Sequence, residues 1–201
     1  SVARNTALHE IYSNSELPNL IGYPDDDCVY PKNLLQKTIK WFSHRKVNSI
    51  GIGFDYPGCS ACAGHYNRWG LLGKFISFSV FTITIRDLYF DENLGVGARF
   101  GACEETDYLF RLIGVNSWLE LDKSSFIMHP DRTYSSPGRL VSYGRGFGYL
   151  ARKMLGARDI RGFPIIVKLL FSPIVKLILG KKSISAAFEE QKARIQGFLG
   201  R

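Results

Sequence analysis

Apolar and polar positions follow one another along this chain in blocks that read alternately as helix and strand. Val2, Ala3, Ala7, Leu8 and Ile11 recur at helical spacing, which predicts a helix over residues 2–11. Residues 20–23 form a short apolar run, expected as a buried strand. Pro31 suits the first turn of a following helix, whose apolar face would carry Leu34, Leu35, Thr38, Ile39 and Phe42. Residues 47–54 predict a second strand. The Gly-rich stretch 55–73 predicts a long functional loop. Residues 75–85 are dense in Phe, Ile, Val and Thr and predict a third strand. A helix is expected from near Glu104, with Leu109, Leu112 and Ile113 on one side. Residues 118–121 and 126–128 read as short strands, and a helical pattern resumes from Arg139 through Leu150. Strands alternating with helices predict an α/β sandwich.

Charge changes the picture at the C-terminal end. The net charge is +8, yet residues 1–150 hold 15 basic and 15 acidic side chains. Residues 151–201 hold 11 basic against 3 acidic, so the whole excess lies in the last quarter. Within it, residues 163–171 and 172–179 are apolar runs broken by Lys168, Pro173 and Lys176. A membrane span wants about 20 apolar residues, more than either run supplies. The pattern predicts a basic amphipathic helical region on the membrane surface, with Leu, Ile and Phe in the acyl boundary and Lys and Arg at anionic headgroups. Core helices with snorkelling lysines are the alternative. The same apolar content argues against a nucleic-acid-binding tail.

The chain has 201 residues and 45% hydrophobic content, enough for a packed domain with an appendage. Its first residues carry no secretory pattern and no initiating Met, and read as a processed chain or a piece of a longer reading frame. Cys28, Cys59, Cys62 and Cys103 do not make a disulfide framework, which favours a reducing cytosol. Cys59-x-x-Cys62 with His65 is a weak zinc or redox signal, and equally a Gly-rich loop with small thiols.

Two acidic clusters are the candidate chemistry. Asp25-Asp26-Asp27 follows the first apolar strand. Like charges this close call for a counter-charge, and a divalent cation suits carboxylate oxygens. A solvated acidic turn has the same composition. The second cluster is Glu104-Glu105-x-Asp107-Tyr108-x-x-Arg111. On a helix, Glu104, Asp107, Tyr108 and Arg111 would share a face, with Glu105 on another. Acids in a first helical turn also simply complement the helix dipole.

These clusters sit in an ordered series: Arg4-Asn5, then Pro24-Asp25-Asp26-Asp27-Cys28, then Phe90-Asp91-Glu92-x-Leu94-Gly95-x-Gly97, then Glu104-Glu105-x-Asp107-Tyr108, then His129-Pro130. The series resembles the later two-thirds of bacterial family 2 glycosyltransferases, over roughly residues 1–150. The resemblance implies a GT-A-like three-layer sandwich around a mixed sheet, and inverting transfer of a sugar from a nucleotide-sugar donor to an acceptor hydroxyl. It implies Mn²⁺ or Mg²⁺ held by Asp25, Asp27 and His129. Arg4, Asn5 and Asp26 would also face the donor. Glu105 would be the catalytic base, with Glu104 and Asp107 as the next candidates. Asp91, Glu92, Gly95, Gly97 and Arg111 would lie on the acceptor side.

The series begins after the strand and helix that bind the nucleotide base in that family. The expectation is therefore an N-terminally incomplete catalytic domain over residues 1–150 and a basic membrane-surface region over 151–201. The setting implied is cell-surface polysaccharide assembly at the cytoplasmic face of the inner membrane, with a lipid-linked or oligosaccharide acceptor. A truncated, non-catalytic relative acting as a membrane-associated scaffold is the alternative function.

Overall fold

The computed structural model describes residues 1–72, 74–114, 116–130, 137–157 and 162–201. It is an α/β protein with a five-stranded mixed sheet and C-terminal helices. The elements are α1 (Val2–Ser13), β1 (Leu20–Gly22), α2 (Leu34–His44), β2 (Ser49–Asp55), β3 (Gly64–Tyr66), β4 (Val80–Ile83), α3 (Glu104–Leu112), β5 (Trp118–Phe126), α4 (Pro137–Gly156), α5 (Phe163–Ile178) and α6 (Ile184–Leu199). The chain divides into two compact units. One comprises Val2–Phe90 and Glu105–Arg132; the other comprises Ser1, Asp91–Glu104 and Thr133–Arg201.

The first of these holds the sheet, in the order β1-β4-β2-β5-β3. β2 runs parallel to β5 and antiparallel to β4, while β1 and β3 add antiparallel edges. Alternation along β2 sends Ile52 and Phe54 into a core cluster with Leu34 of α2, Phe78 and Ile127. Gly51 and Gly53 face the other way, where bulk comes from neighbours. A Cβ on Gly53 would sit 2.7 Å from the Phe75 ring. The larger core on the sheet joins Leu8 and Tyr12 of α1 to Tyr108, Leu109 and Leu112 of α3 and to Leu119 and Leu121 of β5.

Several elements differ from the sequence expectation. Pro31 lies before α2, its carbonyl accepting from Leu34 N at 2.9 Å, so the helix starts one turn later. Leu34 and Thr38 are its buried residues, while Leu35 and Ile39 are exposed. The helix docks instead through Trp41, whose indole donates to Glu120 at 3.0 Å. The 55–73 stretch contains β3, which completes the sheet edge. Residues 77–79 wind into a 3₁₀ turn ahead of β4, with Ser79 N donating to Ile76 O at 3.0 Å. The two short strands expected near 118–128 are one strand, β5, with a register shift opposite Phe54 and Asp55.

In the other unit α4, α5 and α6 pack together. Glycines on α4 and α6 allow the backbones to touch. A Cβ on Gly148 would collide with the Arg194 carbonyl, and one on Gly197 with the Arg145 carbonyl. Glu190 and Arg194, both buried, pair on α6, and Lys182 joins Glu190. No described helix is long and apolar enough to cross a membrane.

Candidate metal centre and its neighbours

The aspartate run closes on itself. Cys28 N donates to Asp25 O at 3.3 Å, leaving Asp26 and Asp27 at the tip of a turn. The next residue, Val29, pairs with Met128 in an isolated antiparallel bridge. Val29 N donates to Met128 O at 2.8 Å, and Met128 N donates to Val29 O at 3.0 Å. His129 follows Met128, so the bridge delivers its ring to the aspartate turn. One ligand atom each from Asp25, Asp27, Cys28 and His129 all lie within 4.8 Å of one another, and all four residues are half-buried. His129 Nε2 is 3.7 Å from Asp27 Oδ1. Asp26 is exposed and stands outside this group. Two carboxylates, a thiol and an imidazole brought this close together are a donor set that fits a divalent cation.

Neighbouring side chains hold the group in place. Arg4 lies 3.3 Å from Asp25 Oδ1, with its guanidinium 5.4 Å from the Phe90 ring centre. Asn5 clamps the Phe90 backbone, donating to its carbonyl at 2.9 Å and accepting from its amide at 2.8 Å. Its amide therefore positions the Phe90 backbone segment. Phe78 stacks on His129 with ring centres 4.9 Å apart and planes 8° from parallel. Burial pushes the Cys28 thiol pKa up, and the Asp25 and Asp27 charges push the same way against a lowering contribution from Tyr30.

The acidic cluster on α3 separates into different environments. Glu105 is half-buried, and Ser77 Oγ donates to its Oε1 at 3.3 Å. It lines a small crevice with Tyr23, Ser77, Phe90 and Tyr108. Tyr23 and Tyr108 share a hydrogen bond of 2.6 Å; burial pushes the Tyr23 phenol well above its ordinary value and also raises that of Tyr108. Asp107 is 1% exposed and accepts from Arg111 Nε at 2.9 Å. Arg111 also donates to Tyr89 O at 2.6 Å. That pair ties α3 to the 89–90 backbone.

The remaining expected residues lie in the other unit. Glu104 is half-buried, its carboxylate 3.0 Å from where a Cβ on Gly95 would sit. Gly95 has φ 108°, a backbone conformation that strains any side chain, and the Glu104 carboxylate would have to give way to a Cβ there. Gly97 has φ 82° and open space around it. Glu92 is exposed. Asp91 pairs with Lys153 of α4 at 2.6 Å and accepts from the Asn93 amide at 3.0 Å. Burial alone would push the Asp91 carboxyl up, but these partners outweigh it and hold it below its ordinary value.

No protein-family model, no curated protein and no solved structure matches this chain.

Cys28, Ser77 and Phe78 are the residues that reading the sequence missed. Cys28 stands next to the aspartates, and the Val29–Met128 bridge is what makes it a neighbour of His129. Cys59 instead donates to Lys74 O at 3.9 Å, and Cys62 is exposed. Neither belongs to a metal-capable group among the described residues.

Proposed function

We propose that this chain is a metal-dependent inverting glycosyltransferase of the family 2, GT-A-like type. It would move a sugar from a nucleotide-sugar donor to a lipid-linked or saccharide acceptor in cell-surface polysaccharide synthesis. One observation carries the reading: the Asp25–Asp27 run and His129, far apart in the ordered motif series, bring ligand atoms within 4.8 Å of one another. A mixed sheet with a parallel β2–β5 pair is compatible with the fold that the motifs imply.

A divalent ion at this group would offset negative charge on the departing nucleoside diphosphate. Asp25 and Asp27 supply carboxylate ligands, and Arg4 beside Asp25 fixes one of them. Glu105 is the base. Its carboxylate takes the proton of the acceptor hydroxyl while that oxygen bonds to the anomeric carbon, and the donor's diphosphate leaves with the bonding pair. Ser77 orients Glu105 and the adjacent Phe78 orients His129, so one 3₁₀ turn supports both sides of the reaction. Asp107, buried against Arg111, holds the helix rather than meeting substrate.

The reading extends to peripheral contact with the cytoplasmic face of the inner membrane. On α5, Phe163, Val167, Phe171, Ile174 and Ile178 are exposed and follow one face at i, i+4, i+8, i+11 and i+15. With the excess of basic residues after 150, this stripe suits an anionic lipid surface.

The test is thermal-shift titration with UDP-, GDP-, CMP- and dTDP-sugars, with and without Mn²⁺, Mg²⁺ or Zn²⁺, on wild type and Asp27→Ala. Metal-dependent stabilisation by one nucleotide class, lost in the variant, supports the transferase. A folded protein indifferent to every donor overturns it in favour of a non-catalytic relative.

A further inference from the structure

We propose that Cys28 is a fourth ligand in the metal centre and that its thiolate selects a borderline transition metal, of the Zn²⁺, Co²⁺ or Fe²⁺ class, over Mg²⁺. The inference rests on the metal-centre reading above and sharpens it.

Geometry is the first support. Ligand atoms around a tetrahedral ion bonded at about 2.0–2.3 Å stand roughly 3.3–3.8 Å apart. His129 Nε2 and Asp27 Oδ1 are already 3.7 Å apart. The remaining separations in the set reach at most 4.8 Å, so a small side-chain contraction closes the shell. The Cys28 backbone is fixed on both sides, by its own bond to Asp25 O and by the Val29–Met128 bridge.

Charge is the second. Two carboxylates and a thiolate carry three negative charges, and Arg4 beside Asp25 supplies one positive charge. A divalent ion brings the cluster to neutrality. Neither carboxylates alone with the ion and Arg4, nor the full set without an ion, balances in this way.

Ligand softness is the third. Mg²⁺ demands oxygen ligands in an octahedron and keeps its waters, whereas sulfur and imidazole nitrogen favour Zn²⁺, Co²⁺ and Fe²⁺. A set of two oxygens, one nitrogen and one sulfur is therefore poorly matched to Mg²⁺.

The experiment is Co²⁺ titration of the full chain, read by absorption. Wild type should show visible d–d bands together with a near-ultraviolet thiolate-to-cobalt charge-transfer band. Cys28→Ser should lose the charge-transfer band, keep the visible bands, and bind Co²⁺ at least about tenfold more weakly. Cys59→Ser and Cys62→Ser should change neither band. Equimolar Zn²⁺ should displace Co²⁺ from wild type, and a roughly thousandfold excess of Mg²⁺ should not. Co²⁺ binding without a thiolate band, or a band that survives in Cys28→Ser, overturns the Cys28 assignment and leaves the metal centre standing. No Co²⁺ binding by wild type with a native near-ultraviolet circular dichroism spectrum overturns both.

Discussion

The Phe78 ring lies face to face with the His129 imidazole, 4.9 Å between centres, while the preceding residue, Ser77, donates to Glu105. A metal-capable imidazole and a candidate base are thus steered by neighbouring residues of one short turn. Phe78 is itself 3% exposed. Phe78→Leu keeps an apolar filler at a cost of about 1 kcal/mol, but removes the flat surface under the imidazole. Metal affinity should fall about tenfold, as for other losses of outer-shell support. Isothermal titration with Zn²⁺ or Mn²⁺ checks this, and unchanged affinity in a folded variant would separate the stack from the site.

Glu105 and Asp107 should fail in different ways. Glu105→Gln removes the proton acceptor and should lower transfer by about 10²–10⁴-fold while nucleotide binding persists. Asp107→Asn leaves the Arg111 guanidinium beside a neutral amide, and should cost roughly 1–3 kcal/mol of stability. Transfer assays alongside denaturant melts distinguish the two. Equal stability loss in both variants would contradict the division of roles.

Acid should loosen the helical unit through two carboxylates. Burial pushes Glu190 up, but Lys182 and Arg194 outweigh it and hold its pKa below the ordinary 4.5; Asp91 lies below 3.8 for the reasons given above. A carboxylate with a depressed folded-state pKa stabilises fully above its ordinary value and loses that contribution as pH falls through the folded value. Melting temperature should therefore drop as pH falls below about 4.5. Glu190→Gln should cost roughly 3 kcal/mol at neutral pH, because Arg194 stays buried, and should flatten the acid dependence.

Membrane contact should depend on the α5 stripe. Phe171 and Ile178 are 47% and 77% exposed, so Phe171→Asp with Ile178→Asp should leave the melting temperature nearly unchanged. Co-sedimentation with vesicles rich in phosphatidylglycerol should fall at least about tenfold, since each side chain forfeits roughly 1–3 kcal/mol of apolar burial. Vesicle binding equal to wild type would assign the stripe to another partner.

The alternation of strands and helices was legible because runs and periods of apolar residues mark the elements, though not always the buried face: α1 buries Asn5, Leu8 and Tyr12 while Val2, Ala3 and Ala7 are exposed. β3 was not legible: it is three residues long, begins with Gly64 at φ 147°, and is half-buried to exposed. The 3₁₀ turn was hidden because Ile76, Phe78 and Val80 alternate like strand residues, and a local bond from Ser79 N to Ile76 O overrides that propensity. Leu35 and Ile39 share the expected apolar face of α2 yet are exposed, because helical spacing does not reveal that Trp41 anchors the helix. In the site, the aspartates and His129 were visible as residue types in order. Cys28 was visible only as the end of the aspartate motif, since His129 reaches it across a long-range bridge that no local pattern encodes.

That bridge makes the site a reporter on folding. Val29 and Met128 meet only when the chain between them, with most of the sheet, has found its place. An ion shared by Asp25, Asp27 and His129 would act as a clasp on this closure, binding the native chain and ignoring the unfolded one. Each tenfold rise in free metal above the dissociation constant then adds about 1.4 kcal/mol to folding. The protein's resistance to heat would become a gauge of the metal supply around it, and a chelator would act on it as a denaturant.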